Sequence, residues 1–197
     1  SGLRARRALR ASVREDDVFV VSYPRSGVTW VGFMLANALK PDPDEVLTLK
    51  DFGRYVPDLN PEYYWGTDIR SRGSAVDGPR MFRIHAPYDP AFHRIVYLIR
   101  DPRDVIVSHY HYLRLTEDDF HLTLRQFVEG TAYHWPCTWD DHVDGWLLRG
   151  DPAFSGLLLR YEEVHADPES ALAAMLAFAG HTVPEERIRR AVEESAF

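Results

Sequence analysis

The apolar run Val18-Phe19-Val20-Val21, followed at once by Tyr23-Pro24-Arg25-Ser26-Gly27-Val28-Thr29-Trp30, admits few folds. Four consecutive apolar residues without polar alternation read as a parallel strand buried on both faces. After the turn, Val31, Phe33, Met34, Leu35, Ala38 and Leu39 form an apolar stripe at helical spacing, so a helix starts close to Gly27 to Thr29. The first N–H groups of a helix lack intrahelical partners, and the macrodipole places partial positive charge there. An anion is therefore the expected guest. Gly27 permits close backbone approach, Ser26 and Thr29 add hydroxyl donors, and Arg25 adds a permanent charge.

Two more strands end in polar residues. Ile95-Val96-Tyr97-Leu98-Ile99 delivers Arg100, and Asp101-Pro102 then marks a helix start, with Asp as N-cap and Pro at the first helical position. Ser108 lies seven residues beyond Asp101, two turns along one helical face, so Arg100 and Ser108 can converge on a single anion. The short strand Arg80-Met81-Phe82-Arg83-Ile84 ends at His85. In an open α/β sheet, ligands bind outside the carboxyl ends of the strands, which distinguishes His85 from the other eight histidines. His109 and His111, two apart on a helix, diverge, and no metal site is expected. Gly156-Leu157-Leu158-Leu159-Arg160 is a further strand leading to Tyr161, and Pro168 opens a helix that stops at Gly180. Together these segments predict a three-layer α/β fold, a central parallel sheet flanked by helices, with a P-loop-like strand-turn-helix at the nucleotide site.

The turn is not a Walker loop, because it has one glycine and no Gly-Lys-Ser/Thr end. Residues 23–30 instead resemble the 5′-phosphosulfate loop of the cytosolic-type, PAPS-dependent sulfotransferases, Tyr-Pro-Lys-Ser-Gly-Thr-Thr-Trp, with Arg25 and Val28 as the departures. The run from Arg100 to Tyr112 resembles that family's 3′-phosphate motif, and the segment around His85 is similar to its Lys-Thr-His-Leu-Pro. The resemblance implies PAPS as sulfonate donor, PAP as product, and transfer to a hydroxyl of a small-molecule acceptor by in-line displacement. It implies His85 as general base with Arg25 beside it in catalysis. It also implies cofactor binding by Arg25, Ser26, Gly27, Val28, Thr29, Trp30, Arg100, Ser108, Tyr161, Ser195 and Phe197. Arg103 is a further candidate cation for the pocket. Thr138-Trp139-Asp140-Asp141-His142-Val143-Asp144-Gly145-Trp146 looks like the family's Trp-x-x-His-Val-x-x-Trp helix, and its His142, Trp139 and Trp146 are read as packing residues. The family's basic Arg-Lys-Gly segment is not found up to Phe197, so residues 1–197 read as a single domain without the C-terminal part of the family domain, with reduced cofactor affinity. A P-loop kinase and a non-catalytic nucleotide-binding domain of the same fold remain open alternatives.

With 197 residues, 45% of them hydrophobic, the chain can bury one sizeable core. No run reaches membrane-spanning length, and Cys137 stands alone, which fits a reducing, cytoplasmic setting. A formal charge of −7 argues against nucleic acid as a partner, and the arginine-rich residues 3–14, including Arg4, Arg6 and Arg7, read as a solvated leading helix. Residues 51–79 read as a long loop over the acceptor, where Tyr55, Tyr63, Tyr64 and Trp65 are candidate pocket residues, with packing under the loop the commoner use of such side chains. The acceptor's identity and the oligomeric state are not legible.

Overall fold

The computed structural model describes residues 7–60, 69–73, 75–130, 135–149 and 155–196. Four parallel strands, β1 (Val18–Ser22), β2 (Met81–Ile84), β3 (Arg94–Ile99) and β4 (Ser155–Arg160), form a sheet in the order β2-β1-β3-β4. The described helices are α1 (Val28–Leu39), α2 (Pro102–Thr116), α3 (Leu124–Glu129), α4 (Trp139–Val143), α5 (Tyr161–Ala166), α6 (Pro168–Ala179) and α7 (Glu185–Glu193). A π-helical turn, Asp144–Leu148, continues α4.

Every residue of β1 is buried because the sheet has a core on each face. Val18 and Val20 point with Val96 and Leu98 into a cluster built with α1, α6 and α7. Phe19 and Val21 point the other way with Ile95 and Tyr97, onto Leu9, Phe92 and Trp146. Successive strand side chains alternate between faces, so a strand covered on both sides has no polar alternation to show.

The helix boundaries follow local chemistry. Asp101 accepts from the Arg103 N–H at the start of α2, and Asp167 accepts from the Ser170 N–H at the start of α6. Gly180 ends α6 in the left-handed region at φ 87°. At the opposite end of the sheet from the turn, the fully buried Asp17 takes a two-pronged ion pair from Arg80, with 2.8 Å and 2.6 Å contacts. Such a pair is tolerated in low dielectric because both partners find hydrogen bonds; Arg80 also donates to the carbonyls of Ile69 and Ser12.

Two expectations change, and an open alternative for Tyr55 is resolved. The leading segment is not simply solvated: residues 7–10 are helical, Leu9 is 1% exposed in the core, and Arg10 pairs with Asp89 at 2.8 Å, whereas Arg4 and Arg6 lie outside the described residues. Within residues 51–79 the described part is packed, with a 3-10 turn at Phe52–Arg54 and Val56 and Leu59 buried. Of the two uses open to Tyr55, packing is the one observed: it is a core residue whose hydroxyl donates to Glu45 at 2.5 Å; Tyr63, Tyr64 and Trp65 lie outside the described residues.

Candidate active site

Strand register brings the site together. Val21 pairs with Ile84, Ser22 with Leu98, and Ile99 with Arg160, so the strands end nearly level. The next residues, Tyr23, His85, Arg100 and Tyr161, therefore leave the sheet along one rim. The chain runs from β1 to β2 on one side and to β3 on the other, which makes the rim at β1 the switch point where a crevice opens. A cavity of about 620 Å³ occupies it, bordered by Pro24, Arg25, Gly27, Val28, Thr29, Trp30, Leu49, His85, Arg100, Ser108, His109, Tyr112, Trp135 and Tyr161.

The turn owes its shape to two left-handed residues, Arg25 at φ 69° and Gly27 at φ 97°. Glycine is required at the second for a further reason: a Cβ there would sit 2.6 Å from Tyr161 Cδ2. Tyr161 thus lies flush against the turn, with the Arg100 guanidinium 4.3 Å from its ring centre and the Trp30 ring edge-on at 6.1 Å. Arg100 also donates to the Arg25 carbonyl at 3.0 Å, tying the strand end to the turn. Two buried polar atoms at this junction, Ser26 Oγ and Arg100 Nε, have no hydrogen-bond partner among the described residues. Buried donors are rarely left unpaired, and these two suit an anion's oxygens.

His85 is half-buried at the cavity wall. Its Nδ1 lies 2.7 Å from the Ser22 carbonyl, which can only accept, so Nδ1 carries the proton and Nε2 the free lone pair. Its backbone N–H donates to Asn60 Oδ1 at 2.6 Å, and Trp135 stands edge-on at 6.3 Å. Desolvation pushes its pKa below the ordinary histidine value, against the opposing pull of the Ser22 carbonyl. Tyr23, which leaves β1 at the same rim, is pushed up to about 12, first by burial; its hydroxyl donates to the Cys137 carbonyl at 3.1 Å. It is a structural donor rather than a base.

Of the residues singled out from sequence, Arg25, Gly27, Val28, Thr29, Trp30, His85, Arg100, Ser108 and Tyr161 share the cavity. Ser26 lies beneath it, 1% exposed. Ser195 is fully buried behind Trp30: its carbonyl accepts from the indole N–H at 3.2 Å, and its hydroxyl meets Asn37 and Ala191. Phe197 lies outside the described residues. Arg103 does not join the pocket, because its guanidinium turns outward, 88% exposed, onto its own N-cap Asp101. That partner holds the Asp101 carboxyl down to about 2. His142 and Trp146 are buried packing residues: His142 Nδ1 meets Tyr97 Oη at 2.8 Å, and the Trp146 indole donates to the Ala86 carbonyl.

Sequence reasoning missed Tyr112, His109, Leu49 and Trp135. Tyr112 was findable, one turn beyond Ser108 on the same face of α2. Leu49 and Trp135 sit on irregular segments and carried no local signal. Among the described residues no group of three or more His, Cys, Asp or Glu could hold a metal ion, and no helix is long and apolar enough to cross a membrane.

Comparison with known proteins fits this geometry. A sequence model of the sulfotransferase domain matches residues 15–197. Human sulfotransferase 2B1 is 31% identical over 204 residues, covering 94% of this chain and 52% of that protein. The amine sulfotransferase of Oryctolagus cuniculus is 28% identical over 201 residues, covering 94% and 63%. The chain thus spans 52% to 56% of the length of the sulfotransferase 2B1 relatives it matches. Among solved structures, mouse sulfotransferase SULT7A1 complexed with PAP superposes with a TM-score of 0.68 at 24% identity, over 98% of this chain and 68% of that one; it speaks for the fold. Retinol dehydratase in complex with androsterone and the inactive cofactor PAP gives a TM-score of 0.63 at 25% identity, with the same coverage.

Proposed function

The chain belongs to the sulfotransferase domain family, and from that premise we propose that it moves the sulfonate group of PAPS onto a hydroxyl of a small-molecule acceptor, with His85 as general base. One observation carries the reading: a single cavity is bordered by the anion-binding turn, by Arg100 and Ser108, and by His85. The orphaned donors Ser26 Oγ and Arg100 Nε fit a donor that carries phosphate at two places. The PAP complex of retinol dehydratase, 25% identical, points to the same nucleotide. The two core clusters share one sheet, which supports a single domain over residues 1–197.

The donor supplies an activated sulfonate and a phosphate leaving group. Around it, the first N–H groups of α1, with Ser26 and Thr29, hold the 5′ end. Arg100 and Ser108 hold the 3′-phosphate, Trp30 and Tyr161 border the adenine, and Ser195 acts through Trp30, whose indole it anchors. His85 accepts the acceptor's hydroxyl proton at Nε2, its Nδ1 fixed on Ser22. Desolvation keeps the ring neutral at and somewhat below neutral pH, the form a base must have. Arg25 stabilises charge that develops on the leaving oxygen, but it retains its proton and contributes no acid catalysis. A reducing, cytoplasmic setting suits the free Cys137.

The test is a panel of phenols, alcohols and sugars incubated with PAPS and the protein, read by mass spectrometry. We expect one acceptor to gain a sulfonate as PAP is released. Tight PAP binding with no product from any acceptor would favour a non-catalytic nucleotide-binding domain. Phosphate transfer from ATP with Mg²⁺ would favour a kinase.

A further inference from the structure

Where the family resemblance expects a lysine, Arg25 is held by both its backbone and its side chain. Its backbone is left-handed at φ 69°, and its carbonyl is clamped by Arg100 at 3.0 Å. Its side chain leaves the turn and crosses to α2, where Nε lies 3.4 Å from Ser108 Oγ and the guanidinium carbon sits 4.5 Å from the centre of the Tyr112 ring. Ser108 and Tyr112 are four residues apart, one above the other on the helix, and form a dock with a hydroxyl at one end and an aromatic face at the other. A flat guanidinium can stack on such a face while its edges hydrogen-bond; an ammonium, a compact point charge, can approach the ring or donate to the hydroxyl but has no plane with which to do both in this geometry. We propose that Arg25 is a bridging residue: docked on Ser108 and Tyr112, it contacts the 3′-phosphate as well as the 5′ end, so the turn itself reads whether the nucleotide carries a 3′-phosphate. Tyr112 is then a positioning residue, acting through Arg25. This rests on the reading of Arg100 and Ser108 as the 3′-phosphate site.

Three geometric facts support the assignment. The Arg25 backbone touches Arg100 and its side chain touches Ser108, so it joins both members of the second anion site to the first. The guanidinium lies at the border of the same cavity as both. Arg25 is exposed and the Tyr112 side chain is 43% exposed, so substitutions there leave the core untouched.

The experiment is calorimetric binding of 3′,5′-adenosine bisphosphate and of 5′-AMP to the wild-type protein and to Arg25→Lys, Tyr112→Leu, Tyr112→Phe and Arg25→Lys/Tyr112→Leu, with circular dichroism to verify folding. Arg25→Lys should cut the preference for the bisphosphate over AMP by about ten- to a hundredfold, the range for one charge-assisted contact. Tyr112→Leu should cut it by about two- to five-fold, Tyr112→Phe should keep it, and Tyr112→Leu should add nothing once Arg25 is lysine. Equal loss of both nucleotides in Arg25→Lys confines Arg25 to the 5′ end and overturns the proposal. So does a Tyr112→Leu loss of the same size in both backgrounds. Wild-type protein that binds neither nucleotide overturns the nucleotide reading of the site along with it, which separates the two failures.

Discussion

Substituting Gly27 with Ala tests whether the turn is shaped by the contact described above. The new Cβ would lie 2.6 Å from Tyr161 Cδ2 and 2.7 Å from Cε2, so the ring must retreat by about 1 Å to reach ordinary carbon contact. Retreat is resisted, because Arg100 packs on the ring at 4.3 Å and Trp30 stands edge-on to it. Overpacking of this kind costs about 1–3 kcal/mol. A non-glycine residue at φ 97° adds roughly 1–2 kcal/mol of backbone strain. The sum, about 2–5 kcal/mol, corresponds to a fall of about 5–15 °C in Tm for a domain of this size. Displacing Tyr161 also drags Arg100 from the cavity wall, so affinity for 3′,5′-adenosine bisphosphate should drop by at least about tenfold. Differential scanning calorimetry and nucleotide titration measure both effects. A second background separates them: in Tyr161→Ala protein the alanine keeps only an ordinary contact, Leu98 Cδ2 at 3.7 Å, and only the strain, about 2–6 °C, should remain. A Gly27→Ala cost that is the same in both backgrounds, or absent from both, would refute the close approach of Tyr161 to the turn.

Three further outcomes follow from named groups. His85→Ala should lower turnover by about 10²–10⁴-fold and leave bisphosphate binding nearly intact, and the wild-type rate should fall on the acid side with a midpoint below 6.5; a midpoint above 6.5 contradicts the desolvated base. Buried His142, held at about 4 first by desolvation, binds fewer protons folded than unfolded between pH 6.5 and 4. Its contribution is therefore complete above pH 6.5 and lost on acidification, by about 3 kcal/mol at pH 4; denaturant melts of wild type and His142→Phe across that window should diverge by this slope. Asp17→Asn should destabilise by about 3–5 kcal/mol because Arg80 keeps its charge in a site 1% exposed, and a change under 1 kcal/mol in urea unfolding would show that the charge is relieved some other way.

Residues 17–39, 101–116 and 168–180 were legible from sequence because their signals are local. A cap bonds two or three residues away, as Asp101 and Asp167 do, and a buried strand feeding a helix shows in a dozen letters. Candidate site residues were legible for the same reason, as the ends of such segments. Their joint position was not. His85 reaches Ser22 across 63 residues only because β2 and β1 pair in one register. Trp30 is braced by Ser195 across 165 residues, which moved Ser195 from the cavity to the support behind it. Arg103, promising by charge, was claimed by a neighbour on its own helix, and Tyr55 by the core. Sequence by itself determined which turns, caps and strands form, since those depend on contacts within a few residues. Only the tertiary structure decided which side chains face the cavity and that Arg25 docks on Ser108 and Tyr112, because strand register and helix packing, set by the whole core, choose among partners far apart in the chain.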